Sequence, residues 1–396
     1  MVLAKMEKGF IWSCGMLVVL VVFEGTVVNG KSNMLFVFGD SLLDCGTNNY
    51  LGRSMKHRAN YYPYGMSFSG GNATGRYSDG MVTPDYIAQL ADIPHLIPPY
   101  LDPTADFSFG ANFASGGAGA LKETNAGEVV WFSTQIEQFK TLQEKFRREL
   151  GDMVNHRIFP EAVYQFSIGM NDYKMYVQDP QLQDKYELLT YVEMVLEHTF
   201  EEIDKLYELG ARKFLAPLLK DLGCSPGMRA LNDGECHELA TLLCESHNLL
   251  LEYGLFIRTL RHADFQYIVF DQIPFMKERI EAPHEYGFLE GREACCGSGL
   301  LRGENTCGGK NDTPYELCGD PSKHVYFDAF HCTSGINRQA SFTMWHGNDP
   351  TVRPIALKKF FNSNIPIINI GHKGKPDIPS VVEASSPQNG PVVADV

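Results

Sequence analysis

Residues 34–42 read MLFVFGDSL, and this stretch decides the fold. Five apolar residues in a row run directly into a glycine, an acidic residue and a serine. An apolar run this short, bounded by a turn signal, is typical of a strand buried on both faces of a parallel sheet. Ligands of such sheets lie beyond the carboxyl ends of the strands. The stretch therefore predicts a buried strand that places Ser41 at a binding crevice.

The same pattern recurs along the chain, with helix-length amphipathic stretches between the apolar runs. Strands are predicted at residues 34–38, 107–113, 162–168, 213–218 and 265–270. Helices are predicted at residues 84–91, 134–150, 191–209, 238–260, 335–344 and 354–361. Short strands that alternate with helices indicate an α/β fold with a mostly parallel central sheet covered on both faces.

Composition narrows the class of protein. Of the 396 residues, 44% are hydrophobic and 21% are charged, which is ordinary for a folded globular protein and excludes wholesale disorder. The formal net charge is −14. Since this charge repels polyanions and no basic stripe offsets it, nucleic acid is not expected as a partner.

The two ends of the chain differ in composition from the middle. Lys5 and Lys8 precede a short apolar stretch, which predicts a signal peptide over residues 1–30 rather than a membrane span. A retained N-terminal anchor is the alternative. Residues 31–370 are expected to form one catalytic domain. Residues 371–396 are poor in large apolar side chains and rich in Pro, Ser and Gly, so we expect a disordered tail.

Cysteines and sequons agree with export. Ten cysteines minus Cys14 of the signal peptide leave nine, so at least one is a free thiol or bonds another chain. The expected disulfide cysteines are Cys224, Cys236, Cys295, Cys296, Cys307 and Cys318. The first two bracket a short loop, and a zinc ribbon is disfavoured for the other four because two of them are adjacent. Glycosylation is predicted at Asn72 and Asn311, each two residues before a threonine.

Polar residues of complementary chemistry follow the predicted strands. Ser41 follows the first strand, the segment 112–119 (NFASGGAG) follows the second and Asn171 follows the third. Asp328 and His331 lie near the C-terminus, three residues apart. Acyl transfer through serine requires a hydroxyl nucleophile, a histidine base, a carboxylate that orients the base, and donors for the oxyanion. We therefore predict a triad of Ser41, His331 and Asp328.

Three donors are predicted for the oxyanion. They are the backbone N–H of Ser41, one N–H of the Gly116–Gly117 turn and the side-chain amide of Asn171. Each feature alone has an ordinary structural explanation: a serine after a strand is usually a helix cap, and a glycine pair is usually a packing turn. Their occurrence in order, after successive strands, favours a catalytic site.

Two other motifs imitate functional sites. Residues 223–227 (GCSPG) match the nucleophile elbow of hydrolases, but Pro226 follows Ser225 and lacks the N–H that an elbow donates to the oxyanion. A metal set is imitated by Cys236, His237, Cys244 and His247. On a helix-length stretch these residues are better explained as half a disulfide, a core thiol and two ordinary imidazoles, so no metal is expected.

Six ordered stretches carry a family resemblance over about residues 32–361. They are LFVFGDSLLDCGTNNY, TGRYSDG, NFASGGAG, IGMNDY, ACCGSGLLRGENTCGG and FDAFHCT. The chain resembles the plant GDSL esterase/lipases of the SGNH hydrolase superfamily. The resemblance implies a three-layer α/β/α flavodoxin-like fold and hydrolysis of small-molecule carboxylic esters through an acyl-serine, without a metal or another cofactor. Secretion is predicted separately, from the signal peptide and the cysteines, with the apoplast as the expected destination and the vacuole as the alternative.

The resemblance assigns the same roles to the triad and to Asn171, and its register favours Gly117 over Gly116 as the backbone oxyanion donor. Two cysteines depart from the family pattern beside catalytic groups, namely Cys45 and Cys332. Three states are open for them: a bond to each other, thiols that line the site, or small buried hydrophobic residues.

Two alternative functions remain open from the sequence. The family also contains acyltransferases with the same triad, in which an alcohol acceptor replaces water in attacking the acyl-serine. A secreted defence or binding protein that acts through contacts, with little catalysis, is an alternative of another class. The four-part site argues against it, because binding does not require a serine, a histidine, an aspartate and an asparagine in those roles.

Overall fold

The structure is a computed structural model. It describes residues 33–52, 57–151, 154–308 and 314–361. The predicted signal peptide, the predicted C-terminal tail and the sequon at Asn311 lie outside the described residues.

A six-stranded sheet forms the centre of the molecule, in the order β2-β1-β3-β4-β5-β8. Its strands are β1 (Leu35–Gly39), β2 (Gly110–Asn112), β3 (Val163–Ser167), β4 (Lys213–Pro217), β5 (Gln266–Phe270) and β8 (Val352–Arg353). The first five are parallel and only β8 runs antiparallel to its neighbour. A separate antiparallel pair consists of β6 (Cys296–Gly297) and β7 (Glu316–Leu317).

Helices connect the parallel strands and cover both faces of the sheet. They are α1 (Thr83–Leu90), α2 (Phe132–Leu150), α3 (Met170–Gln178), α4 (Pro180–Lys185), α5 (Leu188–Glu208), α6 (Pro226–Ala230), α7 (Glu238–Arg261), α8 (Gln272–Glu281) and α9 (Ser334–His346). Within the described ranges, none of these helices combines the length and the apolar character that a membrane span requires.

Alternation along β1 divides the core into two layers. Phe36 and Phe38 point to one face of the sheet, where they pack in a cluster with residues of α2, α5 and α7. Leu35 and Val37 point to the other face, into a cluster with residues of α1, α8 and α9. Helices, sheet and helices therefore form three layers, which confirms the predicted α/β/α architecture with its mostly parallel sheet.

The predicted helix over residues 354–361 is wrong. The chain leaves β8 and makes only a 3-10 turn at Leu357–Lys359. Leu357, Phe360 and Phe361 are all buried in the second core cluster. Because three apolar side chains in five residues are buried together, the segment is held as a compact turn against the sheet and does not extend as a helix.

Six cysteines of the described residues form disulfides, in the pairs Cys224–Cys236, Cys295–Cys318 and Cys296–Cys307. Cys45 and Cys332 are buried free thiols, so a bond between them is excluded. Cys332 belongs to the second core cluster, and its Sγ atom lies 3.6 Å from the Nζ atom of Lys220. Neither Cys45 nor Cys332 lines the active-site cavity described below, so both behave as small buried residues.

Phe36 anchors an aromatic cluster, and its removal tests the first core layer. Its ring lies 5.0 Å from that of Phe139 and 5.4 Å from that of Tyr164, and the residue is fully buried. We expect Phe36→Ala to lower the free energy of unfolding by about 3–5 kcal/mol, because it leaves a cavity. Urea denaturation measures this change. The control Phe342→Ala removes a ring that is 40% exposed and should change it by less than about 1 kcal/mol. Equal effects would contradict the assignment of this core.

Candidate active site

Loops at the carboxyl ends of the strands meet around one cavity of about 470 Å³. Ser41 follows β1, Gly117 follows β2 and Asn171 lies in the first turn of α3, directly after β3. Asp328 and His331 come from the loop between β7 and α9. All five residues line the cavity, so the structure brings the sequence-predicted site residues together. The crevice rule for parallel sheets accounts for the first three.

Ser41, His331 and Asp328 form a hydrogen-bonded chain. The Oγ atom of Ser41 lies 2.7 Å from Nε2 of His331. Nδ1 of the same imidazole lies 2.7 Å and 2.8 Å from the two carboxylate oxygens of Asp328. Because an ionised carboxylate can only accept, Nδ1–H is the donor there, and Nε2 is left to accept the hydroxyl proton of Ser41. This is the tautomer that a general base requires.

Asp328 is held in its ionised form. The residue is fully buried, and burial alone would raise the pKa of its carboxyl. The charge of His331 and hydrogen bonds from His331, Tyr64 and the N–H of Phe330 outweigh burial, so the pKa falls to about 2. The hydroxyl of Tyr64 donates to Oδ2 at 2.6 Å. The carboxylate therefore stays charged throughout the physiological range.

Backbone geometry favours Gly117 over Gly116 as an oxyanion donor. The N–H of Gly116 is already used, since it donates to Oδ2 of Asp44 at 2.8 Å. In the described part of the chain, no protein acceptor takes the N–H of Gly117 or of Ser41. Gly117 also has φ +87°, a conformation that favours glycine. The side-chain amide of Asn171 donates one of its two hydrogens to the Ala118 carbonyl at 2.9 Å, which leaves the second hydrogen for another acceptor.

Asp44 fixes the loop that carries Gly117 to the turn after β1. Its Oδ1 atom accepts the N–H groups of Gly46 and Thr47, both at 2.7 Å, while its Oδ2 atom accepts the N–H of Gly116. Burial raises the pKa of Asp44 to about 6 despite these bonds. No role for Asp44 was predicted from the sequence, although an aspartate two residues before a glycine is a common side-chain turn signal.

Asp172 fixes the other end of the same loop. Its carboxylate accepts the N–H groups of Ala120 at 3.0 Å and Leu121 at 3.1 Å, and the hydroxyl of Thr124 at 2.6 Å. Burial raises the pKa of Asp172 to about 6. Since Asp172 follows Asn171 directly, one turn of α3 provides both a side-chain donor and the anchor of the glycine loop. Of these two residues, only Asn171 was predicted from the sequence.

The loop that carries His331 is supported by two further side chains. The ammonium of Lys220 donates to the carbonyl of Phe330, the residue before His331. The ring of Tyr77 lies against the imidazole with 4.7 Å between ring centroids. Neither residue was identified from the sequence, because each lies more than 100 residues away from His331 along the chain.

The GCSPG motif and the set of Cys and His residues that imitates a metal site both lie outside the active-site cavity. Ser225 is buried outside the cavity, where its Oγ atom donates to the Leu222 carbonyl at 2.6 Å and accepts the N–H of Met228 at the start of α6. Cys236 is in a disulfide. His247 is buried, with Nδ1 at 2.7 Å from the hydroxyl of Tyr173. Among the residues that the structure describes, no group of three His, Cys, Asp or Glu is placed to hold a metal ion.

Comparison with known proteins identifies the family of the chain. The family model described as GDSL-like Lipase/Acylhydrolase matches residues 35–341. The chain is 40% identical to GDSL esterase/lipase 1 of Arabidopsis thaliana over 345 residues, which cover 84% of this chain and 91% of the relative. It is 38% identical to a GDSL lipase of Tanacetum cinerariifolium, over 85% of this chain and 90% of the relative. The chain belongs to the GDSL lipase/acylhydrolase family. Within it, the protein is a carboxylic ester hydrolase of the GDSL esterase/lipase kind.

One relative carries a name that bears on activity. A protein named inactive GDSL esterase/lipase-like protein 25, also of Arabidopsis thaliana, is 34% identical over 80% of this chain and 72% of its own length. Overall identity therefore does not separate active from inactive members by itself.

The hydroxyl of Tyr64 can be tested by Tyr64→Phe. Its loss would leave Oδ2 of Asp328 with a single partner, Nδ1 of His331. Since hydrogen bonds to charged groups contribute about 1.5–3 kcal/mol, we expect kcat/KM for an ester to fall by roughly 10- to 100-fold. Tyr62→Phe is the matched control, because Tyr62 is 62% exposed, and it should retain wild-type kcat/KM. An unchanged kcat/KM in folded Tyr64→Phe would show that this bond does not support the reaction.

Proposed function

We propose that the protein hydrolyses carboxylic esters through an acyl-enzyme on Ser41, with His331 as general base and Asp328 as its orienting carboxylate. The observation that carries the proposal is the continuous chain of hydrogen bonds from the hydroxyl through the imidazole to a buried, ionised carboxylate. A serine that only capped a helix would not require a base at 2.7 Å from its oxygen. Chemically, this arrangement is the one that activates a serine hydroxyl.

The reaction follows from the positions of these atoms. As Oγ of Ser41 bonds to the ester carbon, its proton passes to Nε2 of His331, and the carbonyl oxygen becomes an oxyanion. The N–H groups of Ser41 and Gly117 and the amide of Asn171 stabilise this charge, and each such donor contributes about 3–4 kcal/mol in the transition state. The imidazolium then gives its proton to the departing alcohol. In the second half of the reaction, His331 takes a proton from water as the water attacks the acyl-serine. The bond between the acyl carbon and Oγ then breaks, Oγ regains a proton from His331, and the acid is released.

Transfer to an alcohol is the second activity that the site supports. The cavity of about 470 Å³ lies within the range of small-molecule ligand sites. Both activities share every step up to the acyl-serine and differ only in the nucleophile that attacks it. A binding protein without catalysis would not require the triad, so we place that function last.

The experiment that tests the proposal compares three purified proteins on p-nitrophenyl acetate and butyrate. We expect Ser41→Ala to lower kcat/KM by at least about a thousandfold, because the nucleophile is lost. Ser225→Ala is the matched control: it removes the serine of the GCSPG motif, lies outside the cavity and should keep wild-type kcat/KM at a temperature where it is folded. Products are analysed with and without added alcohols.

Each outcome of this experiment has a distinct meaning. A new ester formed from the added alcohol, dependent on Ser41, identifies acyl transfer, whereas free acid alone identifies hydrolysis for the acceptors tried. Equal activity of wild type and Ser41→Ala would disprove the assigned nucleophile. If both are inert and a serine-directed phosphonate probe labels neither, the binding function replaces the catalytic one.

We further propose that the protein is secreted, with residues 1–30 removed, residues 31–370 as the catalytic domain and residues 371–396 as a disordered tail. The basic and apolar N-terminal pattern and the disulfides support export, since disulfides persist in oxidising compartments. Asn72 is exposed, as a glycan acceptor must be. The apoplast is the proposed destination, and the vacuole is the alternative.

Expression of the full chain in a eukaryotic secretory host tests this proposal. The protein in the medium should begin near residue 31 by N-terminal sequencing. Asn72→Gln should remove a glycan from its mass, because the acceptor amide is lost. Asn232→Gln alters an exposed asparagine outside any sequon and should leave the glycan mass unchanged. Retention of the first thirty residues on a cell-bound protein would favour the N-terminal anchor.

A further inference from the structure

Helix α7 carries a stripe of large apolar side chains on its solvent-exposed face. The side chains are Leu242, Leu249, Tyr253, Phe256 and Leu260, which are 50%, 73%, 62%, 46% and 68% exposed, respectively. We call these five residues the α7 stripe. Isolated exposed leucines are common on protein surfaces, but several large apolar side chains along one exposed face of a helix are the mark of an interaction surface.

The spacing of the α7 stripe indicates what kind of surface it fits. With Ser246 included, its positions are separated by 4, 3, 4, 3 and 4 residues, which is a heptad repeat. Side chains at heptad spacing face a second helix that packs alongside the first. Each of them inserts between side chains of that partner helix. The other face of α7 is already packed on the core, with Leu243, Leu251 and Leu255 buried. The stripe is therefore a second apolar face, matched to a second helix.

We propose that the α7 stripe pairs antiparallel with the same stripe of a second copy of the chain, around a two-fold axis. An axis near residue 251 places Leu242 opposite Leu260 of the other copy, and Leu249 opposite Tyr253. Ser246, the one small residue of the repeat, then lies opposite Phe256, which is one of its two aromatic residues. Every position meets a complementary one, as an isologous interface requires. A parallel pair would instead place Ser246 on Ser246 and leave a gap.

Charge along the helix also favours the antiparallel arrangement. Two α7 helices running in opposite directions align their dipoles favourably and set the acidic end, with Glu238 and Glu245, alongside the end that carries Arg261. Glu252, at the middle of the stripe edge, is already paired with Arg353, whose Nε atom lies 2.6 Å from its Oε1 atom. The centre of the interface therefore contains no unpaired charge.

A second copy is a better occupant than a lipid surface. Helices that lie on membranes combine an apolar face with a basic polar face, whereas acidic residues (Glu238, Glu245 and Glu252) flank the α7 stripe and the whole chain has a net charge of −14. The stripe runs about 27 Å along the helix, which offers less than the roughly 800 Å² per partner of a standard interface. We therefore expect self-association in the micromolar range.

Pairing through α7 leaves catalysis untouched. No residue of α7 is among those that line the active-site cavity. The two-fold axis across α7 also directs the two cavities toward opposite ends of the pair. Activity per chain is consequently a measure of correct folding in variants of the stripe, independent of their assembly.

Sedimentation equilibrium of the purified protein from about 1 to 100 μM tests the proposal. We expect wild type to approach twice the mass of one chain, and Leu249→Glu and Phe256→Glu to weaken association by roughly 100-fold or more, since each change occurs twice per interface. Leu289→Glu is the matched control: Leu289 is 61% exposed but lies outside α7, and the variant should associate like wild type. All four proteins should share one value of kcat/KM.

Orientation is tested by cross-linking engineered thiols with a short bifunctional reagent. A mixture of Leu242→Cys and Leu260→Cys should form a cross-linked pair, and neither variant should do so alone. Self-cross-linking of each variant alone would overturn the antiparallel arrangement. A wild-type protein that stays monomeric at 100 μM, or a dimer that both glutamate variants leave intact, would overturn the proposal, as would a monomer that binds zwitterionic phosphatidylcholine vesicles through the stripe.

Discussion

The carboxylate of Asp44 joins the turn after β1 to the loop after β2, and the rest of the active site depends on this junction. One of its oxygens accepts two N–H groups of its own turn, and the other accepts the N–H of Gly116. Enclosing a charge in this way is unfavourable, which is why burial raises its pKa to about 6. These bonds connect the turn that follows Ser41 directly to the glycine loop.

Asp172 completes this arrangement from the opposite side. It accepts the N–H groups of Ala120 and Leu121, so the loop is held by hydrogen bonds on both sides of Gly117. Asn171 precedes Asp172 in the same helical turn, so any movement of α3 would shift the amide and the glycine loop together. Such coupling matters because an oxyanion donor is effective only when its position is fixed before the charge develops.

The parts of the fold that the sequence predicted are those that depend on local pattern. Five apolar runs identified five strands, and the residues after them identified Ser41 and Asn171, because a parallel sheet gathers the ends of its strands. Strands β6 to β8 have only two residues each and leave no periodic signal. No local pattern marks Tyr64 as a partner of Asp328. Its bond to Asp328 connects residues 264 positions apart and appears only once the chain is folded.

Helix α7 shows a second limit of periodicity. Residues 238–260 were predicted as a helix because apolar side chains recur around it, and the structure has Glu238–Arg261. The pattern does not tell which of two apolar faces the core will cover, because both satisfy the helical period. That choice is made by the sheet: α7 lies between β4 and β5 in the chain and next to the short edge strand β8. Among the described residues, no further helix covers its outer face. Catalysis depends on loops at one end of the sheet, and the α7 stripe runs along its side. Substitutions in the α7 stripe can therefore accumulate without disturbing the catalytic loops.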